Sequence, residues 1–225
     1  MSDRESKSRI ALYGGTFDPP HNGHLAIARA VTGILELDRF IFVPAFHAPH
    51  KKDKNPTSPF HRFAMLSQAT ENDPRFEVST IELDDPDHPY TFQTLVKARE
   101  VFGDARLFFI MGGDSWNEIN TWREWEQVLT AVNIIVVTRL GHDLALDHVS
   151  DIVRDRIVDV RGISPQSIGR AVDEHGEDSI FFTDAVQLDI AATDLRALIA
   201  SGDSAWKDSV PDEVAKYIEK YQIYT

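Results

Sequence analysis

Residues 10–31 read IALYGGTFDPPHNGHLAIARAV, and this stretch decides the fold. Its first four residues form an apolar run typical of a buried strand, whereas Leu25, Ala28 and Val31 recur with the period of an amphipathic helix. Glycines and prolines occupy the turn between them, so the segment predicts a strand followed by a helix. In an open parallel sheet ligands bind at such a turn, because strand carboxyl ends and helix amino ends meet there.

The same order of short apolar run and longer amphipathic segment repeats along the chain. Because this repeat implies parallel strands joined by right-handed crossovers, we predict an α/β fold with a doubly wound parallel sheet flanked by helices. The predicted strands are Ile10–Tyr13, Phe40–Val43, Phe76–Ile81, Leu107–Met111, Ile134–Thr138 and Ile180–Thr183. Helical periodicity covers Leu25–Leu35, Phe60–Leu66 and Phe92–Val101.

We predict one domain over residues 1–225, with a polar tail at 1–8 and a helical part at 190–225. Two helices are predicted in that part: Thr193–Ala200 and Pro211–Tyr221, the second with a proline in its first turn. Residues 142–179 are rich in Asp and His and only weakly periodic. This pattern indicates a surface helical excursion rather than a part of the sheet.

The amino-acid composition excludes several classes of partner and of chemistry. The chain of 225 residues has 23 Lys and Arg against 36 Asp and Glu, a net charge of −13, so its field repels nucleic-acid polymers and anionic lipid. It contains no cysteine, which excludes disulfides, a thiolate nucleophile and cysteine-based metal sites. The polar amino terminus has no apolar signal segment, and no apolar run approaches the roughly 18 residues of a membrane span, so we predict a cytoplasmic protein.

The turn at 14–24 has the residue types of a phosphate site. Gly14 and Gly15 let a ligand approach the backbone closely. His21 and His24 are three apart at a helix start, so both imidazoles can point toward an anion attracted by the helix dipole. Two alternatives stay open: a rigid turn whose histidines only cap and solvate it, and a zinc site. Against zinc, the His-Glu-x-x-His pattern is missing, and neither a dinucleotide fingerprint nor a Walker loop occurs in the turn.

The segment from Pro44 to Arg62 reverses the charge of the chain. It holds Lys51, Lys52, Lys54 and Arg62 against a single aspartate, a net charge of +3. Five of the nine histidines lie within residues 21–61. A basic patch on an acidic protein indicates a site for a polyanion, and a merely solvated loop is the alternative.

Two further segments have residues that suit a nucleotide. Thr193 can cap a helix, and Arg196 would then lie in the first turn of that helix. An arginine near a helix N-terminus is favourable only if an anion also binds there, so the pattern indicates a second phosphate contact. Ordinary capping explains the pattern as well. Asp114 follows a buried strand, and a carboxylate at that place can accept hydrogen bonds from ribose hydroxyls. One of the tryptophans that follow could stack on a ring, whereas Trp125 is expected in the core.

Together these segments resemble the His-x-Gly-His nucleotidyltransferases, and within that superfamily the bacterial nicotinate-nucleotide adenylyltransferases. The resemblance extends from Ile10 to Tyr224 and implies a Rossmann-like fold. The matching motifs are Gly14–His24, Pro49-His50-Lys51 with His61-Arg62, Tyr90–Leu95, Phe109–Asp114 with Trp122, and the tail from Val210-Pro211 through Tyr217-Ile218 to Ile223-Tyr224.

The resemblance implies transfer of the adenylyl group of ATP. The 5′-phosphate of nicotinate mononucleotide attacks the α-phosphorus, giving nicotinate adenine dinucleotide and pyrophosphate in NAD biosynthesis. Such chemistry needs in-line alignment and charge neutralisation rather than a protein nucleophile, and Mg²⁺ is implied as carried by ATP. ATP and nicotinate mononucleotide are then the partners, and the sequence leaves open whether the chain forms a homo-oligomer.

The resemblance also implies roles for residues at matching positions. The implied catalytic residues, which contact phosphates, are His21, His24, Lys51 and Arg196. The implied ATP site adds Gly14, Gly15, Thr16, Phe17 and Thr193. The implied acceptor site comprises His50, Lys51, Tyr90, Thr91, Gly112, Asp114 and Trp122, with Trp122 stacked on the pyridine ring and Asp114 at a ribose.

One motif departs from the family, because Ala191-Ala192-Thr193 stands where relatives show Ser-Ser-Thr. Two hydroxyl donors are missing, so we expect ATP affinity to weaken without being lost. The rival interpretations are a transferase for another phosphorylated acceptor, such as phosphopantetheine, and a catalytically weak nucleotide-binding regulator. The acceptor-side motifs favour nicotinate mononucleotide, and the retained histidines, lysine and arginine favour an active enzyme.

Overall fold

A seven-stranded sheet carries the fold, and all of its strand pairs are parallel. The computed structural model describes residues 7–46, 56–85, 87, 90–138, 144–186 and 190–225. The strands are β1 (Arg9–Gly15), β2 (Arg39–Pro44), β3 (Phe76–Val78), β4 (Arg106–Gly112), β5 (Asn133–Val137), β6 (Ile157–Asp159) and β7 (Ile180–Thr183). Their order across the sheet is β3-β2-β1-β4-β5-β7-β6. This architecture confirms the predicted doubly wound α/β class.

Helices connect the strands and flank the sheet. They are α1 (Asn22–Ile34), α2 (Pro59–Thr70), α3 (Thr91–Phe102), α4 (Gly113–Asn117), α5 (Trp125–Ala131), α6 (Asp151–Arg154), α7 (Pro165–Glu174), α8 (Ala192–Ser201) and α9 (Asp212–Tyr221). Short 3₁₀ turns lie at Ile119–Thr121 and Ser204–Ser209. Within the described ranges, no helix combines the length and apolar character that crossing a membrane requires.

The alternation of side chains along β1 shows why the strands are apolar throughout. Ile10 and Leu12 enter the core on one face of the sheet, whereas Ala11 and Tyr13 enter the core on the other. Because helices cover both faces, neither face tolerates polar residues, and the strand sequences are continuous apolar runs.

The prediction for residues 142–179 was wrong. This segment contributes β6, which pairs with β7 at the edge of the sheet, and α7, which packs against α1. A three-residue edge strand is too short to show a period of two, so its sequence carries no strand signal. The predicted strand Phe76–Ile81 is also shorter in the structure, because the chain turns at Thr80, whose carbonyl accepts hydrogen bonds from the amides of Leu83 and Asp84.

A third apolar cluster joins the C-terminal helices to the body of the protein. Met65 of α2 and Leu195 of α8 pack in it with Trp206, Val214 and Ile218. The predicted helix Pro211–Tyr221 is confirmed, with the proline as the residue that precedes its first turn. The cluster holds α8 beside α2, and thereby near the carboxyl edge of the sheet.

The contact between α7 and α1 gives a test of this packing. A Cβ on Gly169 of α7 would lie 2.8 Å from the carbonyl oxygen of Ile34, so Gly169→Ala must shift the backbone. We expect this variant to lose about 1–3 kcal/mol of unfolding free energy in urea titrations. Gly33→Ala on α1 is the matched control, since no atom lies within 4 Å of its added Cβ, and it should be neutral or stabilise by less than about 1 kcal/mol. Equal effects of the two substitutions would contradict the packing.

Candidate active site

The predicted site lies where the strand order of the sheet reverses. β1 pairs with β2 on one side and with β4 on the other. The chain leaves β1 toward α1 on one face of the sheet and leaves β4 toward α4, whose Trp116 packs on the opposite face. In open α/β sheets this arrangement leaves a crevice outside the carboxyl ends of the two strands, where ligands bind.

The first part of the turn after β1 is held by aromatic packing. Phe17 has a φ of 51°, a left-handed backbone that is rare for a residue with a side chain, and it is buried. Its ring lies edge-on to Tyr13 and to His24, with centroid distances of 5.4 and 4.9 Å. A Cβ on Gly15 would lie 2.8 Å from the Phe17 ring, and one on Gly14 would lie 3.2 Å from the ring of Phe109. The two glycines therefore make room for the protein's own aromatic side chains.

The two histidines of the turn form a stacked pair. The rings of His21 and His24 have centroids 3.6 Å apart and are tilted by 25°. The backbone N–H of His21, which precedes the first turn of α1, donates to Nδ1 of His24 at 3.2 Å, so the neutral His24 ring carries its proton on Nε2. A Cβ on Gly23 would lie 3.0 Å from Nδ1 of His21, which explains the glycine between the two histidines. Both imidazoles thus lie at the positive end of α1.

The N-terminus of α8 lies against the same turn. Arg196 donates from Nη1 to the carbonyl oxygen of Asp18 at 2.6 Å, across 178 residues of sequence. Its Nη2 donates to the Thr193 hydroxyl at 3.1 Å. The prediction that Thr193 caps this helix was wrong, because the capping position is Ala191 and Thr193 lies within the first turn. Two helix N-termini therefore converge on one crevice, with Arg196 between them.

The sequence context of Arg62 predicted a basic surface, and this prediction was wrong. Arg62 is buried beneath this crevice. The side chain is 0% exposed. Its guanidinium donates to the carbonyl oxygens of Thr57 at 2.9 Å, Thr16 at 2.6 Å and Ala45 at 2.7 Å. Burial lowers the pKa of Arg62, and the nearby Asp18 carboxylate opposes that change. Arg62 thus joins the turn after β1 to the segments that follow β2 and precede α2.

Two of the predicted acceptor residues begin α3. Tyr90 precedes its first turn and donates its backbone N–H to Oε1 of Gln93 at 2.9 Å, and Thr91 is its first residue. The guanidinium carbon of Arg123 lies 4.9 Å from the centroid of the half-exposed Tyr90 ring. This contact brings the segment that contains Trp122 to the N-terminus of α3.

The remaining described residues of the predicted acceptor site lie at the end of β4 and in the segment that follows it. Gly112 precedes α4, and Asp114 lies exposed in its first turn. Trp116 is fully buried and donates from Nε1 to the carbonyl oxygen of Ala145 at 2.8 Å, so it belongs to the core. Trp122 is half-buried at the edge of the same core. Trp125 also packs against the core, as its spacing predicts.

His50 and Lys51 lie outside the described residues, as do Lys52 and Lys54. Their contacts with phosphate therefore stay predictions. In the ranges that the structure describes, no three side chains of His, Asp or Glu cluster closely enough to hold a metal ion.

A buried carboxylate, Glu82, escaped the sequence analysis. It is 9% exposed and accepts a hydrogen bond from the Thr94 hydroxyl of α3 at 2.8 Å. The backbone of Phe46 also hydrogen-bonds to it, and Arg62 lies close enough to stabilise its charge. Burial raises the pKa of Glu82 to about 7, against the opposing effects of these three partners. The one available signal was an acidic residue between the apolar Ile81 and Leu83.

Comparisons place the chain among nucleotidyltransferases. The family model described as cytidylyltransferase-like matches residues 12–198. A Thermoanaerobacter protein named "probable nicotinate-nucleotide adenylyltransferase" is 35% identical over 221 residues, covering 98% of this chain and 96% of the relative. A Symbiobacterium thermophilum protein of the same name is 36% identical over 217 residues, covering 96% and 95%.

Solved structures show the same fold. Plasmodium falciparum nicotinic acid mononucleotide adenylyltransferase complexed with NaAD superposes with a TM-score of 0.69 at 18% identity, covering 96% of this chain and 97% of the other. The same enzyme complexed with APC gives a TM-score of 0.68 at 17% identity, with the same coverage.

The buried Glu82 makes stability depend on pH. Its pKa rises from 4.5 to about 7 on folding, so the folded state holds the proton more tightly. Stability relative to Glu82→Gln, which does not titrate, should therefore decline as the pH rises from about 4.5 to 7 and stay level above. The decline should be about 3 kcal/mol. Urea unfolding of both proteins across this range measures it, and a difference that does not change with pH would contradict the burial of an ionisable Glu82.

Proposed function

Because the chain belongs to the cytidylyltransferase-like family and, within it, to the nicotinate-nucleotide adenylyltransferases, we propose that it transfers the adenylyl group of ATP to nicotinate mononucleotide. The products are nicotinate adenine dinucleotide and pyrophosphate, a step of NAD biosynthesis. One observation carries the proposal: two helix N-termini, the stacked His21–His24 pair and Arg196 converge at the reversal point of the sheet.

The reaction needs alignment more than it needs a reactive side chain. An oxygen of the acceptor's 5′-phosphate forms a bond to the α-phosphorus of ATP, and the bond from that phosphorus to the oxygen bridging it to the β-phosphorus breaks. Pyrophosphate leaves with the electron pair of that bond. The protein contributes by holding the two phosphates in line and by neutralising the charge on the non-bridging and leaving oxygens.

The proposed triphosphate side is built from the turn after β1 and from α8. His21 and His24 contact the phosphates, and Arg196 neutralises charge together with the positive ends of the two helix dipoles. Lys51 is proposed to add a further cation. The residues Gly14, Gly15, Thr16, Phe17 and Thr193 shape the cradle around the nucleotide.

The proposed acceptor side is built from the starts of α3 and α4. Tyr90 and Thr91 lie around the nicotinate, and Trp122 stacks on its pyridine ring. Gly112 and Asp114 meet a ribose, and His50 contacts the acceptor with Lys51. The Arg123–Tyr90 contact supports this grouping, since it joins the tryptophan segment to the start of α3.

We propose that Mg²⁺ enters with ATP. The described donors at the crevice are imidazole and guanidinium groups, which suit phosphate oxygens, rather than a set of carboxylates that would cage the ion. Bound to the triphosphate, Mg²⁺ would neutralise part of its charge. A cytoplasmic location and a single domain over residues 1–225 stay predictions, and whether the chain forms a homo-oligomer stays open.

The alanines before Thr193 change how α8 begins. Ala191 occupies the capping position and has no side-chain oxygen, so the first amides of α8 have no hydroxyl partner from that residue. In the proposed complex, no hydroxyl from this position lies between the start of α8 and the triphosphate. Each hydroxyl that relatives offer to ATP at this place would contribute about 0.5–1.5 kcal/mol, so we expect weaker ATP binding with turnover retained.

A product assay tests the proposed function. The purified chain is incubated with Mg²⁺ and ATP and, separately, with nicotinate mononucleotide, nicotinamide mononucleotide or 4′-phosphopantetheine, and products are identified by chromatography and mass. We expect dinucleotide and pyrophosphate mainly with nicotinate mononucleotide. Product mainly with another acceptor would overturn the acceptor, and tight ATP binding without any product would favour a nucleotide-binding regulator.

His24 should be essential for turnover but not for folding. Replacing a preorganised donor to developing charge lowers the rate on the order of 10²–10³-fold, and we expect this loss for His24→Gln. Glutamine is chosen because its side-chain oxygen can still accept the hydrogen bond from the His21 backbone, as in a capping box. Steady-state kinetics and thermal melting are measured together. A variant that melts normally and turns over at nearly the normal rate would refute the role of His24.

A further inference from the structure

The hydroxyl of Tyr224 reaches from the C-terminal part to the turn after β1. It donates to Oδ1 of Asp18 at 2.6 Å, across 206 residues of sequence. The other carboxylate oxygen accepts the backbone N–H of Thr57 at 3.2 Å, and the Thr57 side chain hydrogen-bonds to the Tyr224 hydroxyl. Asp18 is only 6% exposed. Asp18, Thr57 and Tyr224 therefore form a closed ring of hydrogen bonds beside the crevice.

The C-terminal part holds Tyr224 firmly in this position. Ile223 is buried in the third apolar cluster, and its N–H donates to the carbonyl oxygen of Ile218 at 3.1 Å. Tyr224 has a φ of 69°, a left-handed backbone that a tyrosine adopts only when its surroundings impose it. Asn22, the first residue of α1, donates from its side chain to the carbonyl oxygen of Asp208 at 3.1 Å, a second link between the two regions.

Asp18 connects Tyr224 to the phosphate-binding residues. Its side chain holds Tyr224, while its backbone carbonyl accepts the hydrogen bond from Arg196. It follows Phe17 directly and stands three residues before His21. A change in the position of Asp18 would therefore move the anchor of Arg196 and the path of the chain toward the histidine pair.

We propose that Tyr224 is a positioning residue for the triphosphate side of the site. Its hydroxyl fixes Asp18 and, through the backbone of Asp18, sets the place of Arg196. This proposal rests on the proposed function, because the kinetic test measures the proposed adenylyl transfer. It adds to that function the statement that the C-terminal part controls ATP, not the acceptor.

Tyr224→Phe tests the proposal, with Tyr221→Phe as the matched control. Both substitutions remove one hydroxyl from the same part of the chain, and Tyr221 is 48% exposed on α9. We expect kcat/KM for ATP to fall about tenfold in Tyr224→Phe, because a buried carboxylate loses a donor, while KM for nicotinate mononucleotide stays within about twofold. Tyr221→Phe should match the wild type. A merely structural role would lower the melting temperature without changing the ratio of the two KM values, and that result would overturn the proposal.

A double-mutant cycle tests whether Tyr224 acts through Arg196. In an Arg196→Ala background, Tyr224→Phe should change kcat/KM for ATP by less than about twofold, because the group it positions is gone. A tenfold loss in both backgrounds would overturn this route. If Tyr224→Phe does not fold, Thr57→Val, which removes the other hydroxyl of the ring, takes its place with the same expected direction.

Direct binding separates this proposal from the proposed function. Isothermal titration with α,β-methylene-ATP compares the wild type with Tyr224→Phe without any acceptor or turnover. If the wild type makes no dinucleotide, the proposed function fails, and the binding constants alone decide the role of Tyr224. Weaker binding of about tenfold supports it, and equal binding overturns it.

Discussion

The buried guanidinium of Arg62 is the constraint on which the candidate site depends. A charged group with no access to water is tolerated only when its donors are satisfied, and here carbonyl oxygens of Thr16, Ala45 and Thr57 satisfy them. The Thr16 carbonyl belongs to the connection between β1 and α1, whereas those of Ala45 and Thr57 belong to the two ends of the connection between β2 and α2. If either connection moves, a buried N–H loses its partner, so the two connections are stable only together. The segments that Arg62 joins at the bottom of the crevice therefore keep their relative positions.

The two helix N-termini at the crevice differ in acidic residues: the first turn of α8 contains Asp194, whereas that of α1 contains none. Helices commonly place Asp or Glu in their first turn, as α9 does with Asp212 and Glu213. The first turn of α1 contains no acidic residue and is preceded by His21. The positive end of this helix is thus left to an external anion, and Arg196 adds a cation beside it. In the proposed reaction that anion is the triphosphate of ATP.

Local sequence patterns predicted some features of this molecule, whereas others depend on long-range contacts that only the structure shows. Gly14 and Gly15 were interpreted from sequence as places where a ligand approaches the backbone. In the structure an added Cβ at either glycine would instead meet the rings of Phe109 and Phe17, whose positions no spacing rule reveals. Thr193 is an ordinary capping residue by type, yet the helix begins one residue before it, and the Thr193 hydroxyl accepts a hydrogen bond from Arg196 instead. β6 escaped notice because a three-residue edge strand has no periodicity of its own.

The sequence by itself determined the parallel α/β sheet, the position of the glycine- and proline-rich turn after β1, and the spacing of His21 and His24. These features depend on periodicity and on residues close along the chain. Only the tertiary structure decided that Arg62 is a buried anchor rather than a surface cation, that Glu82 is enclosed beside Thr94, and that Tyr224 reaches Asp18. The physical reason is that burial and hydrogen bonding across 206 residues depend on how the elements pack, and the packed neighbours leave no mark in the local sequence.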